Sequence, residues 1–411
     1  MDDIMLDQVF KNRGKYEEEG YIERDTYETD LYRSLNRYKY VFVTGESGCG
    51  KTWLYTHVAI KQKIKYQVIN LAEIMMKGGF YNYFKSLFSE RVVEKTELKS
   101  VEINGGVFGG NLEENKTIEV VHDYFKMFLD KNKDTLIVFE NFEIIISERN
   151  ILESLSCIIT MADDPIMLNS NTKFLFVGAI NDYLSYFSKI SNYQTIANRI
   201  QHLHIKGFND TECYNFVTKR YKKCGFEIEE PNEFTFCILD CTDGIPQSVN
   251  ELCYFIALSH YKKNEIKICL NTNAFTDGKK AWISQFLLAE YSLIRDLFYK
   301  NKENLAYLNY VLYVISEQKL KLFTAERIVA TIDSPTFVEI RGKQITYKRV
   351  KKYLDELSDD GSNKNILLKY NDEYRIKSYK TYRCLKLVII KKDGQVYLEG
   401  IGMDCDECFV I

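Results

Sequence analysis

The chain has 411 residues, 45% of them hydrophobic and 14% aromatic, which is enough apolar material for two or three domains with real cores. Its formal charge of −3 excludes a global electrostatic pull toward nucleic acid or an anionic membrane, so such binding would have to come from a local patch. No run approaches 18 uninterrupted apolar residues, and residues 1–7 lack the basic region and apolar stretch of a signal peptide, so a cytosolic protein with no membrane association is expected. The eleven cysteines have no repeated spacing, and several, such as Cys237, Cys241 and Cys253, fall on apolar helical faces; they are expected as reduced thiols. Cys405 and Cys408 form a C-x-x-C with neither a second pair nor a nearby His to complete a zinc set.

In chain order, Tyr27, Leu31 and Leu35 share one face of a short helix preceded by Glu23 and Arg24. This segment is expected to lie across the site formed by the strand, loop and helix that follow it. Residues 40–43 read as a buried strand and residues 53–60 as a helix. Between them, Gly45-Glu46-Ser47-Gly48-Cys49-Gly50-Lys51-Thr52 fits G-x-x-x-x-G-K-[ST] at every defined position. The glycines let consecutive backbone N–H groups turn inward around a β-phosphate, and the helix N-terminus adds its partial positive charge. Lys51 is expected on the β- and γ-phosphates of ATP, and the Thr52 hydroxyl on Mg²⁺. Cys49 occupies a variable position of the loop, where its backbone is expected to matter more than its sulfur.

Residues 64–71 alternate like a strand, a helix spans about 81–88, and the Asn-Gly and Gly-Gly pairs within 101–110 suggest a hairpin insertion. A helix from about 117 to 129 leads to the unbroken apolar run 135–139, the kind found in parallel sheets covered on both faces. Further strands are expected at 174–177 and, more weakly, 200–205, giving the α/β alternation of a parallel sheet covered by helices. Glu140-Asn141-Phe142-Glu143 follows the 135–139 strand directly, which would place Glu140 at its carboxyl end beside the phosphate loop.

Beyond about residue 207 the pattern becomes helical. Asn209-Asp210-Thr211-Glu212 reads as a capping box, and helices are expected at 233–239, 246–261, 282–298, 305–316, 325–332 and 346–357. Two β-prone runs, 366–370 and 373–376, flank Asn371-Asp372. The expected division is a P-loop ATPase core at 1–207, a helical lid at 208–302, a winged-helix-like domain at 303–390 and a C-terminal tail at 391–411.

In the order of these motifs the chain resembles the AAA+ ATPases, and within them the origin-recognition-like and STAND-type groups, over roughly residues 20–265. The resemblance implies that Glu140 holds the Mg²⁺ shell, while the next place, where these families carry the carboxylate that polarises water, is Asn141. An amide has no titratable proton near neutral pH, so hydrolysis is expected to be slow unless Glu143 substitutes. Asn181, after the 174–177 strand, matches the sensor that contacts the γ-phosphate, and Arg199 falls where these families often place an arginine acting across a subunit boundary, which implies a homo-oligomer. Asp243-Gly244-Ile245-Pro246-Gln247 resembles the turn that opens the sensor helix of the lid, with Gln247 where related ATPases commonly have Arg. Arg24 matches an Arg near the adenine pocket of similar chains.

Between residues 303 and 390, Lys and Arg outnumber Asp and Glu by 16 to 11. Tyr347, Val350 and Leu354 form an apolar stripe, leaving Lys348, Arg349, Lys351 and Lys352 on other faces of a helix that would meet DNA phosphates or dock a protein. Two functions remain open: a STAND-type switch that binds ATP, hydrolyses it slowly and recruits an effector protein, or an origin-recognition-like or transposition-regulator-like ATPase that binds DNA.

Overall fold

The computed structural model describes residues 3–11, 16–96, 124–161, 171–180, 198–304, 307–318, 320–332, 345–359 and 365–401. The expected hairpin at 101–110, the start of the 117–129 helix, Asn181 and the Cys405–Cys408 pair lie outside these residues. The chain divides into two compact units, Gly14–Gly207 and Met1–Arg13 with Phe208–Ile411. Among the described residues, no helix is long and apolar enough to cross a membrane.

The first unit is built on a five-stranded parallel sheet of β1 (Tyr40–Thr44), β2 (Tyr66–Asn70), β3 (Leu136–Glu140), β4 (Lys173–Gly178) and β5 (Ile200–His204), in the order β2-β3-β4-β1-β5. Burial follows position in the sheet. The central strands β1, β3 and β4 are almost wholly buried, as their continuous apolar runs require, whereas β2 and β5 are edges and carry mixed sequences. Much of the core is aromatic: Phe139 stacks on Phe176 at 5.4 Å, and Phe142 meets Phe42 edge-on at 4.8 Å. Because Phe142 lies just past the end of β3, this packing anchors Glu140 and Asn141 at the carboxyl edge of the sheet.

The second unit is mainly helical. Asn209 and Glu212 form the expected capping box at the start of the helix Asp210–Lys223. The helix Pro231–Thr242 stops at Asp243, which is left-handed (φ 46°), and Gly244 (φ +68°) continues the turn. A Cβ on Gly244 would sit 2.4 Å from the Phe208 carbonyl oxygen, so a side chain has no room there. Pro246 then opens Pro246–Lys262 from a first-turn position that needs no N–H. The helix expected at 282–298 is two helices, Asn273–Phe286 and Leu288–Asn304, broken at Leu287; apolar periodicity runs on through the break and hides it. Further along are the helices Leu308–Glu317, Ala325–Ile332 and Tyr347–Ser358, with a three-stranded antiparallel sheet in the order Phe323–Thr324, Glu373–Ile376, Leu367–Tyr370.

Two features depart from the expected division. Residues 1–13 belong to the helical unit: Phe10 packs edge-on against Tyr221, and Asn250 donates to the Phe10 carbonyl. The expected boundary at 390/391 falls inside a hairpin, Ile389–Lys392 with Gln395–Leu398, preceded by the helix Tyr379–Val388. That helix braces the Gly244 turn, since the buried Arg383 donates to the Thr242 carbonyl and Lys386 to both the Asp240 carbonyl and its carboxylate.

Candidate functional site

The loop 45–52 leaves the carboxyl end of β1 and enters the helix Lys51–Lys61. Gly45 (φ +150°), Gly48 (φ 81°) and Gly50 (φ 90°) all take conformations that favour glycine. At Gly45 space matters as well, because a Cβ would lie 2.2 Å from the Ile205 carbonyl oxygen. The Lys51 ammonium donates to the carbonyls of Gly45 and Glu46, both at 2.9 Å, so it is folded against the mouth of the loop. Cys49 contributes through its backbone: its side chain is fully buried, and its carbonyl accepts a hydrogen bond from Arg24.

Arg24 is a clamp. It is 3% exposed, and its guanidinium donates to the carbonyls of Cys49 (3.0 Å), Lys206 (2.8 Å) and Gly207 (3.0 Å) while covering the Tyr27 ring. The structure thus directs Arg24 to the backbone of the loop and the β5 exit, where the family resemblance implied a place near the adenine. One turn on, Glu28 accepts from the Arg24 amide and from Lys61, and pairs with His57 at 3.3 Å. Burial alone would raise the Glu28 carboxyl, but these partners outweigh it and hold the group below its ordinary value. The first turn of Asp25–Arg37 therefore fastens the phosphate-loop helix near both ends.

Across the sheet edge, Thr52 donates its hydroxyl proton to Glu140 Oε1 at 2.7 Å, which leaves the lone pairs of Thr52 Oγ1 directed elsewhere. A hydroxyl and a carboxylate held this close are hard oxygen donors that suit Mg²⁺. Tyr55 was missed in the sequence. One helical turn beyond Thr52 and on the same face, it donates to the same Oε1 at 2.9 Å. Asn141 is left-handed (φ 62°, ψ 44°), a conformation that Asn tolerates better than most residues, and its amide donates to Asn70 Oδ1 at the end of β2. Glu143 accepts the Ala179 amide at 2.8 Å, tying the end of β3 to the end of β4.

A pair of imidazoles also escaped notice in the sequence. Parallel register puts His204 opposite Thr44, the residue before the loop, and Thr44 Oγ1 lies 2.6 Å from His202 Nε2 and 3.1 Å from His204 Nδ1. Burial lowers both histidines from their ordinary values; each other's proximity adds to this for His202, and the Lys206 charge adds to it for His204. The available signal was His-x-His on an edge strand, whose alternating pleat puts both rings on one face.

No protein-family model matches the sequence, and no curated protein matches it at a significant level. Among solved structures, the ADP form of the ORC2 protein of Aeropyrum pernix aligns with 93% of this chain and 96% of its own, at 15% identity and a TM-score of 0.50. The chain has the fold of the origin-recognition-type P-loop ATPases. Also similar are the Walker-type ATPase PABY2304 of Pyrococcus abyssi (92% and 99% covered, 15% identity, TM-score 0.48) and the Thermotoga maritima RuvB Holliday junction branch migration motor (92% and 99%, 14%, 0.43).

Arg199 precedes β5, whose first residue pairs with Tyr40 and whose last pairs with Thr44; it therefore lies at the amino edge of the sheet, about 16 Å of strand from the edge that carries the loop. Gln247 belongs to the helical unit, where its amide donates to the buried Glu251. On the helix Tyr347–Ser358 the buried stripe is Val350, Tyr353, Leu354 and Leu357, and Tyr347 is exposed. Lys348, Arg349 and Lys352 are exposed, whereas Lys351 pairs with Asp372 at 2.7 Å. A cleft of about 740 Å³ beside this helix is lined by Lys348, Lys351, Lys352 and Lys369, but also by Asp355 and Glu356.

Proposed function

We propose that this protein is an ATP-binding molecular switch that hydrolyses ATP slowly, its nucleotide state governing self-assembly and recruitment of a partner protein. The observation that carries this reading is the conjunction at the sheet edge: a complete phosphate loop, the Thr52–Glu140 pair, and Asn141 in the place of a water-activating carboxylate. Lys51 and the loop amides would bind the phosphates, with Thr52 and Glu140 holding Mg²⁺. The charge of bound Mg²⁺ would offset that of the phosphates. Asn141 can orient a water by hydrogen bonding but cannot take its proton, and Glu143 is committed to the Ala179 amide, so neither supplies a ready general base. With Arg199 at the far edge of the sheet, a role for it in hydrolysis requires a second copy of the chain. Asn181 remains the sensor candidate of this reading, and Gln247 brings no positive charge to the lid.

Size-exclusion chromatography with light scattering in ADP, ATP and a non-hydrolysable analogue tests the switch; a mass that changes with nucleotide is expected, and one invariant mass would contradict it. If Arg199 acts in trans, Arg199→Ala lowers turnover without changing ATP affinity, and turnover per protomer rises with protein concentration.

A second reading, a DNA-binding ATPase acting through a winged-helix-like unit, is favoured by the exposed Lys348, Arg349 and Lys352 on one helix. The origin-recognition structures include a complex of the Aeropyrum pernix ORC1 protein with DNA. Fluorescence anisotropy with duplex DNA at low salt, with and without ATP, decides between the readings: salt-sensitive binding lost on joint replacement of these three residues by Glu supports the DNA reading, and no binding in either state leaves protein docking.

A further inference from the structure

We propose that Tyr55 is a positioning residue of the metal–nucleotide site, holding the Glu140 carboxylate in the orientation that serves a divalent cation. The proposal rests on the reading of the loop as a nucleotide site. A glutamate at the end of β3 has more rotatable bonds than an aspartate would have, and a single hydrogen bond from Thr52 leaves its carboxylate free to swing about that contact. A second donor from a different direction removes that freedom. Tyr55 provides it: Thr52 Oγ1 and Tyr55 OH meet Glu140 Oε1 at 2.7 and 2.9 Å, both from the helix that begins at Lys51, so the carboxylate is fixed to the same rigid element as the phosphate-binding lysine.

The Tyr55 ring is itself immobilised. It is 3% exposed and meets Tyr66, the first residue of β2, edge-on at 6.0 Å. A phenol ordinarily ionises only near pH ~10, so at neutral pH the hydroxyl is a donor. With both donors on Oε1, the second oxygen, Oε2, remains to accept from the hydration shell of a cation. Tyr55 needs no contact with nucleotide to act. Its effect should be confined to the metal-dependent part of binding, because Lys51 and the loop amides contact phosphate without it.

The test is a titration of the full-length protein with a fluorescent methylanthraniloyl-ATP across a Mg²⁺ series and again in EDTA. Tyr55→Phe keeps the ring against Tyr66 and is expected to retain the parent melting transition. It should raise the Mg²⁺ concentration for half-maximal binding by about tenfold, as expected for one lost hydrogen bond to a charged acceptor, while affinity in EDTA stays within about twofold. Glu140→Gln should raise the Mg²⁺ requirement at least as far, and adding Tyr55→Phe to it should raise it no further. An unchanged Mg²⁺ dependence in Tyr55→Phe overturns the proposal, as does an equal loss with and without Mg²⁺, which would mark a packing role. A parent protein that binds no nucleotide in either buffer would instead overturn the nucleotide reading, and the proposal with it.

Discussion

The carboxyl edge of the parallel sheet and the helix Tyr347–Ser358 both present charge to solvent, yet they are built in opposite ways. At the sheet edge, charge is placed by the backbone and by buried clamps: three positive-φ glycines shape the loop, Arg24 grips its carbonyl from beneath, and Glu140 is held by two hydroxyls. On the helix, charge sits at the tips of flexible side chains, and Lys351, with its neighbour Lys369, is already paired with Asp372 and Asp355. Groups fixed by the backbone and by buried contacts lose little freedom when a ligand arrives, although Lys51 must exchange its loop carbonyls for phosphate, whereas exposed lysines are screened by salt and lose rotamer freedom on binding. The sheet edge is thus the stronger basis for a functional assignment, although the helix carries more formal positive charge.

The contrast can be broken most forcefully at Arg24. Arg24→Ala would leave three carbonyls without their buried donor and is expected to cost about 3 kcal/mol of stability, read as a lower denaturation midpoint with an unchanged slope. A loss no larger than that of an ordinary surface change would show that the clamp is dispensable.

Next in size, Lys51→Ala should weaken ATP binding by about 30-fold, the loss of a charge-assisted contact, with the fold intact. Calorimetry on the folded variant measures this, and unchanged affinity would remove the loop from the site.

The Asn141 position sharpens the contrast. Because its backbone is left-handed, Asn141→Glu is expected to cost about 1 kcal/mol, whereas Asn141→Asp fits the conformation and introduces a carboxylate. Asn141→Asp should therefore raise turnover by about tenfold or more in a steady-state phosphate-release assay. No rise would mean that something other than the missing carboxylate limits hydrolysis.

The smallest effects are expected where charge is least organised. Joint replacement of Lys348, Arg349 and Lys352 by Glu should leave the melting temperature within about 2 °C of the parent. At the sheet edge, folding depresses His202 and His204, so the unfolded chain binds more protons as pH falls below their ordinary value of 6.5. Their contribution to stability is complete above that value and declines below it. Replacing both by Gln should flatten the melting-temperature profile on the acid side of 6.5, above the carboxylate range.

Much of the first unit was legible because its signals are short-range and physically forced. A continuous apolar run predicts a buried parallel strand, and a glycine-rich loop between strand and helix permits few alternatives, so β1, β3, β4 and the loop were placed to within a few residues. Tyr55 was invisible because its role depends on which residue the register of β3 brings opposite the helix, and His202 and His204 were missed for the same reason. Arg24 was noticed as a residue, but not as a clamp, since its partners are carbonyls 25 and more than 180 positions away. The helix Tyr379–Val388 carries Tyr382, Leu385 and Val388 at helical spacing; its hydrogen bonds to the Asp240–Thr242 carbonyls come from residues more than 130 positions away in sequence. Asn141 stands out in the sequence as an amide where the family resemblance implies a carboxylate, while its left-handed backbone, which decides what can replace it, is visible only in the structure.

The central claim is that ATP is held and turned over slowly. Mixing trace radiolabelled ATP with excess protein and Mg²⁺, and quenching over time, measures one round of hydrolysis on the protein. Bound label should be retained, with conversion well below the ~1 s⁻¹ lower end of typical enzyme turnover. Conversion within a second, or no retained label at any protein concentration, would contradict the claim.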